Sequence, residues 1–437
     1  MTEFTVTPPS GMRDILPNEA YLRDTVVNKI LDVYRKYNFE HIETPSLENI
    51  DNLKRQDGGE NLSLIFEVLK RGEKLDQELQ SDKINRDNLI DYGLRFDLTV
   101  PLVRYYVNNQ ANLANPFKAI QIGSVWRAER PQKGRFRQFT QCDIDIIGVK
   151  EESAEIELID ATANALLAVG FNDFEVIVND RRLLAFIVTA LGFTGDELAK
   201  AYILIDKIDK VGIEGIKNEA ISTFQLEKAN ALMEMLSKLD QLVQANNSDL
   251  VNNFAQLGLN NLNFVELEKI IQPLENVLRI CRSLSQDKYS LKFEPMLARG
   301  MGYYTGMIFE IKAKSIAYSL AGGGRYDNMI GKISNRNVPA CGFSIGFERV
   351  IGLLLENSTN GNPDLNKLAL IYNPEMDKLD LVMKELSNLQ NMNYNVSVIP
   401  RKKEISKQLN QLIRHSFSKY CIFKQGEQTQ LIKDFNI

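Results

Sequence analysis

The chain has 437 residues and a formal net charge of −5, with 44% hydrophobic and 25% charged residues. This composition is typical of a globular protein, which excludes a wholly disordered or fibrous chain, and the length predicts roughly two to four domains. No apolar run approaches the roughly 18 residues of a membrane span, and the first residues, MTEFTVTPPSGMRD, show no secretory or transit pattern. We therefore expect a cytoplasmic protein with no membrane segment.

Cysteine and histidine are few and scattered. The four cysteines form no CxxC pair and have no histidine at metal-ligand spacing: Cys142, Cys281, Cys341 and Cys421. The two histidines, His41 and His415, do not stand beside a plausible serine or cysteine nucleophile. We expect no zinc site and no disulfide framework, so catalysis would rest on arginine, carboxylate, tyrosine or a bound metal.

The first part of the chain has the pattern of an α+β core. Apolar residues at helical spacing predict an amphipathic helix from Glu19 to Tyr37, and FEHIETPSLE then predicts a strand. The chain looks strand-rich from Gly93 to Gly148. A helix is predicted from Glu151 to Val169 and a strand from Phe174 to Val178.

Leucine-rich helical periodicity replaces this pattern from about Asn179 to Lys288, which predicts a helical insertion. Strand signals resume in YSLKFEPML and GMIFEIKAK, followed by a glycine-rich turn and a helix that starts near Gly346. The core is therefore predicted to be discontinuous in sequence.

The polar segment ENSTNGNPDLN predicts a linker, after which strand and helix signals alternate as in a small α/β unit. The helices of this unit are predicted at Asp377 to Gln390 and at Lys402 to Ser416. From Leu365 onward, 11 Lys and Arg stand against 7 Asp and Glu, so the unit could face a polyanion, although chance variation in charge is as good an explanation. The predicted division is a core at 1–178 and 289–355, an insertion at 179–288, a linker at 356–366 and a terminal domain at 367–437.

Three strand-like segments carry polar residues on one face and apolar residues on the other. GLRFDLTV aligns Arg95, Asp97 and Thr99; IQIGSVWRAER aligns Gln121, Arg127 and Glu129; RQFTQCDIDIIG aligns Gln141, Asp143 and Asp145. A sheet with one solvated face would give the same alternation. The density of arginine, glutamine and aspartate favours instead a polar floor for a ligand.

A loop between the second and third segments, ERPQKGRFR, brings together the cations Arg130, Lys133, Arg135 and Arg137. Several cations on one hairpin suit a polyphosphate, because guanidinium groups form bidentate hydrogen bonds with phosphate oxygens. A basic surface turn is an equal alternative for this loop alone. The glycines of GMGYYTG and AGGGRYD are similarly ambiguous between close approach to a ligand and tight turns.

Several segments together resemble the class II aminoacyl-tRNA synthetases in their histidyl form. SVWRAERPQKGRFRQFTQCDIDIIG is similar to the second class motif, GFSIGFERVIGLL to the third, and FEHIETPSLE to the first. ARGMGYYTGMIFEI resembles the histidine-specific motif, and AGGGRYDNMI the glycine-rich motif that follows it. The resemblance extends from GMRDILP to the end of the chain.

The resemblance implies an α+β fold: an antiparallel six-stranded catalytic sheet flanked by helices, a helical insertion, and a C-terminal α/β anticodon-binding domain. It also implies a homodimer built partly on the first motif. The implied reaction activates L-histidine with ATP to histidyl-adenylate and pyrophosphate, and then transfers histidine to the 3′ end of tRNA(His). ATP enters as a substrate with Mg²⁺, and no protein-bound organic cofactor is implied.

Site residues follow from matching positions in these motifs. The resemblance implies a histidine-binding set of Asp97, Leu98, Thr99, Arg127, Gln141, Asp145, Arg299, Tyr303 and Tyr304. It implies an ATP-binding set of Arg127, Glu129, Arg135 and Arg349, with Arg127, Arg299 and Arg349 catalytic. Asp97, Thr99 and Gln141 would hold the amino group, Asp145 and Tyr304 the imidazole, and Arg299 would bridge the histidine carboxylate and the α-phosphate.

Some positions depart from the common family pattern. Gly302 replaces the usual aspartate, FDLT replaces the frequent PEGT, and Asp145 is shorter than glutamate. One alternative is the catalytically silent, synthetase-like regulatory subunit of ATP phosphoribosyltransferase, and another is a synthetase for a different amino acid. The retained arginines favour the enzyme, and the YYT and QCDID segments favour histidine.

Overall fold

The computed structural model describes most of the chain in ranges separated by short gaps: 5–54, 60–81, 83–132, 135–244, 250–255, 263–298, 304–313, 318–334, 336–357, 366–426 and 431–435. No helix within these ranges is both long enough and apolar enough to cross a membrane.

The helices are, in chain order, α1 (Pro17–Lys36), α2 (Ile50–Lys54), α3 (Glu73–Leu79), α4 (Thr99–Asn109), α5 (Ser153–Ala168), α6 (Arg181–Ala190), α7 (Asp196–Asp206), α8 (Ile208–Thr223), α9 (Leu226–Gln244), α10 (Leu250–Ala255), α11 (Phe264–Ser285), α12 (Gly331–Ser334), α13 (Phe347–Asn357), α14 (Leu379–Asn391) and α15 (Ile405–Arg414). Short 3₁₀ turns lie at Glu60–Leu64, Arg86–Leu89 and Gln110–Asn112.

The strands are β1 (Glu40–His41), β2 (Leu47–Asn49), β3 (Glu67–Leu69), β4 (Ile90–Leu94), β5 (Phe117–Trp126), β6 (Gln138–Ile147), β7 (Phe174–Asp180), β8 (Ser290–Phe293), β9 (Met307–Ala313), β10 (Ser319–Arg325), β11 (Ala340–Gly346), β12 (Lys367–Tyr372), β13 (Asn395–Pro400), β14 (Lys419–Ile422) and β15 (Ile432–Asp434).

The main sheet has the strand order β1-β5-β6-β11-β10-β9-β7-β8. Its six inner strands pair antiparallel, while β1 and β8 add to the edges in parallel. A separate three-stranded sheet has the order β2-β4-β3. The described chain is therefore an α+β protein with a six-stranded antiparallel centre, which confirms the predicted fold class.

The two faces of β6 have different surroundings. Cys142, Ile144 and Ile146 are buried on one face, where α5 packs against β6 and β11. Alternation along the strand turns Gln141, Asp143 and Asp145 to the other face. One side of the sheet is thus closed by apolar packing, and the other carries polar side chains.

The prediction of a strand in GLRFDLTV is wrong. Strand β4 ends at Leu94, and helix α4 begins at Thr99. The side chain of Asp97 accepts a hydrogen bond from the backbone nitrogen of Val100 at 3.1 Å, which satisfies a donor in the first turn of α4. Pro101 follows in that turn, where a missing N–H costs little. An acidic side chain and a proline thus favour the start of a helix over continuation of the strand.

The prediction of a glycine-rich turn after β9 is also wrong, because SLAGGGR forms strand β10. A Cβ on Gly323 would lie 2.1 Å from the carbonyl oxygen of Gly342, and one on Gly324 would lie 2.6 Å from that of Met307. The glycines are therefore needed for close approach between neighbouring strands and do not mark a turn.

Helices α6 to α11 occupy the segment where a helical insertion was predicted. The apolar faces of α6 to α9, together with the loop after α6, form a cluster that includes Phe193, Leu204, Ile216 and Leu236, each almost fully buried. This packing explains the leucine-rich periodicity, since each helix presents one apolar stripe to the others.

The chain divides into two compact units, one of residues 1–14 and 24–353 and the other of residues 15–23 and 354–437. In the second unit the strand order is β13-β12-β14-β15, with β14 and β15 antiparallel and the other pairs parallel. Alternate residues of β12 face two apolar clusters. Leu368 and Leu370 lie in one cluster, and Ala369 and Ile371 in the other, so both faces of this sheet are covered.

Candidate active site

A cavity of about 170 Å³ lies over the polar face of β6. Residues from β6, β10, β11, the segment before α4 and the start of α13 line it, among them Asp97, Thr99, Arg127, Gln141, Asp143, Asp145, Tyr304, Tyr326, Ser344 and Arg349. Most of the residues that the sequence predicted for binding and catalysis, and that the structure describes, are therefore brought to one place.

Three carboxyl groups form the acidic end of this cavity. Asp97, Asp143 and Asp145 are 2%, 5% and 5% exposed. Burial raises the pKa of Asp145 to about 7, with Asp97 adding repulsion and a hydrogen bond from Tyr326 opposing the rise. Burial, followed by repulsion from Asp145, raises the pKa of Asp143 well above its usual value. Ionising these buried carboxyl groups costs free energy unless a cation lies beside them, so the acidic end of the cavity favours a bound proton or a cationic ligand.

Tyr326 orients Asp145. Its hydroxyl donates to Oδ1 of Asp145 at 2.6 Å. A Cβ on Gly342 of the neighbouring strand would lie only 2.0 Å from the same Oδ1, so a side chain there would displace this carboxylate. Tyr304 is buried and lines the same cavity. A carboxylate with phenol groups nearby can pair with both nitrogens of an imidazole.

Gln141 connects β6 to β11. Its Nε2 donates to Oδ2 of Asp143 at 3.3 Å and to the hydroxyl of Ser344 at 3.2 Å. Within the described residues, Oε1 of Gln141 and Oδ1 of Asp143 are buried acceptors with no hydrogen-bond partner. Buried acceptors that line a cavity are suited to a ligand that brings donors.

Arg127 and Arg349 line both this cavity and an adjoining one of about 240 Å³. Nε of Arg127 donates to the carbonyl of Phe96 at 3.0 Å, and Nη1 of Arg349 donates to the carbonyl of Ser319 at 2.6 Å. Each guanidinium also lies over an aromatic ring, that of Phe139 and that of Tyr318 respectively. The two cations are therefore oriented before a ligand binds.

The adjoining cavity is lined by the cationic loop and the start of α13. Glu129 and Arg135 line it, and they form an ion pair at 3.5 Å. Arg137 has a structural position, because its backbone nitrogen and its Nε donate to the carbonyls of Gly11 and Glu129. Arg130 is exposed, and Lys133 lies outside the described residues.

Other predicted residues lie elsewhere. Leu98 is 1% exposed and does not line the cavity; its carbonyl accepts a hydrogen bond from Gln121, so its role is in packing next to Asp97 and Thr99. Arg95 is held by the carbonyls of Thr44 and Ser124 and fills the space beside Gly123. Arg299 and Tyr303 lie outside the described residues.

The sequence-based site set omitted Asp143, Tyr326, Ser344 and Glu348. Strand parity had placed Asp143 beside Gln141 and Asp145, and Tyr326 belongs to the AGGGRYD segment, so both had a signal. Glu348 accepts from the backbone nitrogen of Thr140 at 3.1 Å and pairs with Arg13 at 3.3 Å. No group of three or more His, Cys, Asp or Glu side chains in the described ranges is arranged to hold a metal ion.

Comparison with known proteins places this site in a family. The family described as Histidyl-tRNA synthetase matches residues 11–350. A histidine–tRNA ligase of Leifsonia xyli is 43% identical over 377 residues, which cover 85% of this chain and 84% of that protein. A probable histidine–tRNA ligase of Tropheryma whipplei is 40% identical over 383 residues, covering 85% of each.

Solved structures show the same fold. A histidyl-tRNA synthetase from Nostoc superposes with a TM-score of 0.78 at 24% identity, covering 99% of this chain and 95% of that one. A protein from Bacillus halodurans described as an ATP phosphoribosyltransferase regulatory subunit/histidyl-tRNA synthetase gives a TM-score of 0.73 at 20% identity, covering 97% and 100%. From the family match and the close relatives, the chain belongs to the histidyl-tRNA synthetase family.

Proposed function

We propose that the two adjoining cavities are the site where this chain activates L-histidine with ATP, before transfer of histidine to tRNA(His). Membership of the family makes the chain an aminoacyl-tRNA ligase. The observation that carries the proposal is the polarity of the site: buried carboxyl groups lie at one end, and Arg127 and Arg349 line both cavities. A zwitterionic amino acid and a polyphosphate together match this arrangement.

The acidic end would hold the histidine side chain and ammonium group. Asp145, oriented by Tyr326, would accept from one imidazole nitrogen, and Tyr304 would serve the other. Asp97, Thr99 and Gln141 would take the ammonium group. An analogue without those nitrogens would leave buried polar groups unpaired, and such sites discriminate by about 10⁴ or more.

The basic end would hold the reacting phosphate. Activation is an in-line attack of the histidine carboxylate on the α-phosphorus, so negative charge develops on phosphate oxygens and no protein nucleophile is needed. Arg127 and Arg349 would stabilise this charge, and a donor of this kind typically contributes about 3 to 4 kcal/mol. Arg299, whose position the structure does not describe, would bridge the carboxylate and the α-phosphate.

The second cavity would hold the rest of ATP, with Arg135 toward the terminal phosphates. Mg²⁺ would enter with the triphosphate, since this ion keeps several waters and uses one or two carboxylates besides phosphate oxygens. The second cavity is lined by two carboxylates, Glu129 and Glu348, which supports such a role.

We also propose a homodimer, tRNA contact through the segment 367–437, and a cytoplasmic location. Support for the dimer comes from the small sheet, where Leu47, Leu69 and Tyr92 are each about half exposed. Three partly exposed apolar side chains on one small sheet favour its burial against a second copy of the chain. Support for tRNA contact comes from the excess of basic residues after Leu365.

Histidine-dependent exchange of pyrophosphate into ATP tests the first step. We expect exchange with L-histidine and loss of at least about 100-fold in Arg127→Ala and Arg349→Ala, because each removes an oriented cation. Histidine binding measured by calorimetry should survive in Arg349→Ala. Purified protein that binds ATP yet shows no exchange would indicate a non-catalytic relative, and exchange with a different amino acid would contradict the assigned specificity.

A further inference from the structure

We propose that Asp143 is a second carboxylate for the substrate's α-ammonium group, acting beside Asp97, and so determines specificity for an amino acid over its deaminated analogue. This inference rests on the proposed function and extends it to a residue that the family motifs did not select.

The position of Asp143 along β6 supports this role. It lies between Gln141 and Asp145 on the face that lines the cavity, and successive residues on one face of a strand are about 7 Å apart. Asp145 is at the end assigned to the imidazole, while the arginines lie at the other. In histidine, the ammonium-bearing carbon is between the side chain and the carboxylate, and Asp143 is the side chain of β6 that lies between the two ends.

The hydrogen bonds of Asp143 are incomplete in a way that fits a ligand. Oδ2 accepts from Nε2 of Gln141, whereas Oδ1 is buried and has no described donor within 3.5 Å in hydrogen-bonding geometry; the nearby Ser344 hydroxyl lowers the pKa of Asp143 without cancelling the rise that burial causes. A carboxylate kept for structure would be expected to have both oxygens satisfied, since an unsatisfied buried acceptor destabilises the fold. A substrate ammonium group offers three donors and a positive charge.

The charges around Asp143 lead to the same conclusion. Asp97 and Asp145 repel the ionised form of Asp143. The positive charge of Arg127, whose Nε donates a hydrogen bond to the carbonyl of Phe96, offsets this repulsion only in part. The three buried carboxyl groups outnumber the two guanidinium groups that line the cavity, Arg127 and Arg349, which leaves the cavity short of positive charge. A ligand ammonium group between Asp97 and Asp143 would supply it, and this would also offset the cost of keeping a second buried acid.

Calorimetry with three ligands tests this role in Asp143→Asn, with Asp143→Ala as a second variant. Histidinol keeps the imidazole and ammonium groups but lacks the carboxylate, while imidazolepropionate lacks the ammonium group. We expect Kd to rise about 10- to 100-fold for histidine and histidinol, as for loss of one charged hydrogen bond, and to change less than about threefold for imidazolepropionate. An equal loss for all three ligands would overturn the inference.

Stability supplies a readout that separates binding from structure. Because Asp143→Asn removes a buried, repelled carboxyl group, the free protein should be as stable as wild type or more stable at pH 8 in urea unfolding. Marked destabilisation would mean a structural role and would contradict the inference. Failure of the wild-type protein to bind histidine at all would instead refute the proposed function.

Glu48→Gln is a matched control. Glu48 is 4% exposed, lies outside both cavities and accepts from Nε of Arg104 at 2.6 Å. Its substitution should lower stability, since it removes the buried carboxylate that pairs with the partly buried Arg104. It should leave the ratio of histidine to imidazolepropionate affinity unchanged. A shift in that ratio as large as in Asp143→Asn would show that any buried charge change produces the effect, and would overturn the inference.

Discussion

The contribution of Asp145 to the stability of the fold depends on pH. Its pKa is raised by burial to about 7, so between pH 4 and pH 7 the folded protein holds a proton that the unfolded chain releases. Stability from this group therefore falls as pH rises through that range. We expect the free energy of unfolding of Asp145→Asn, relative to wild type, to grow by about 1.4 kcal/mol per pH unit from pH 5 to pH 7 and to level off above that, which gives about 3 kcal/mol in all by pH 8. Urea unfolding of both proteins at the two pH values measures this, and a difference independent of pH would contradict it.

Individual residues were predictable from the sequence where strand alternation fixed their direction. The alternation of β6 correctly turned Gln141, Asp143 and Asp145 to one face. The AGGGRYD segment drew attention to Tyr326, but its contact with Asp145 was missed because it joins positions 181 residues apart, and only the pairing of β10, β11 and β6 brings them together. Contacts of that kind depend on tertiary register, which no local pattern contains.

At the scale of elements, close packing of β10 against its neighbours should make Gly323 intolerant of substitution. Gly323→Ala would place a methyl group 2.1 Å from the Gly342 carbonyl oxygen and 2.8 Å from the Phe309 ring. Because backbone cannot yield as a flexible side chain can, we expect a loss of about 3 kcal/mol in the free energy of unfolding. Urea denaturation of the purified variant provides the measurement.

Gly352→Ala is the matched control for this substitution. Gly352 lies within α13, and a Cβ there meets no described atom within 4 Å. Alanine should stabilise this helix position by about 0.5 to 1 kcal/mol. If Gly323→Ala were no less stable than Gly352→Ala, then β10 and β11 could move apart at no cost in free energy.

The elements that the sequence predicted well are those with one strong period. Helices α1, α5, α14 and α15 lie where apolar spacing indicated them. The failures were at β4 to α4 and at β10, where a capping aspartate and close strand packing decided the outcome. Alternating polarity over a few residues does not distinguish a strand from a turn that leads into a helix, and a glycine run does not distinguish a turn from a tightly packed strand.

At the scale of the whole molecule, the basic residues of the C-terminal unit give a test of tRNA contact. Arg401 and Lys403 are exposed at the end of β13, before α15. Replacing both with alanine should raise KM for tRNA roughly tenfold at physiological salt and reduce its dependence on salt, because each phosphate contact releases about one counterion. Histidine-dependent pyrophosphate exchange should be unchanged, since neither residue lines the two cavities. Glu375→Gln, which removes an exposed negative charge from the same unit, should leave KM for tRNA unchanged or lower it. If the alanine variant charges tRNA as wild type does, the basic character of this unit does not serve RNA binding.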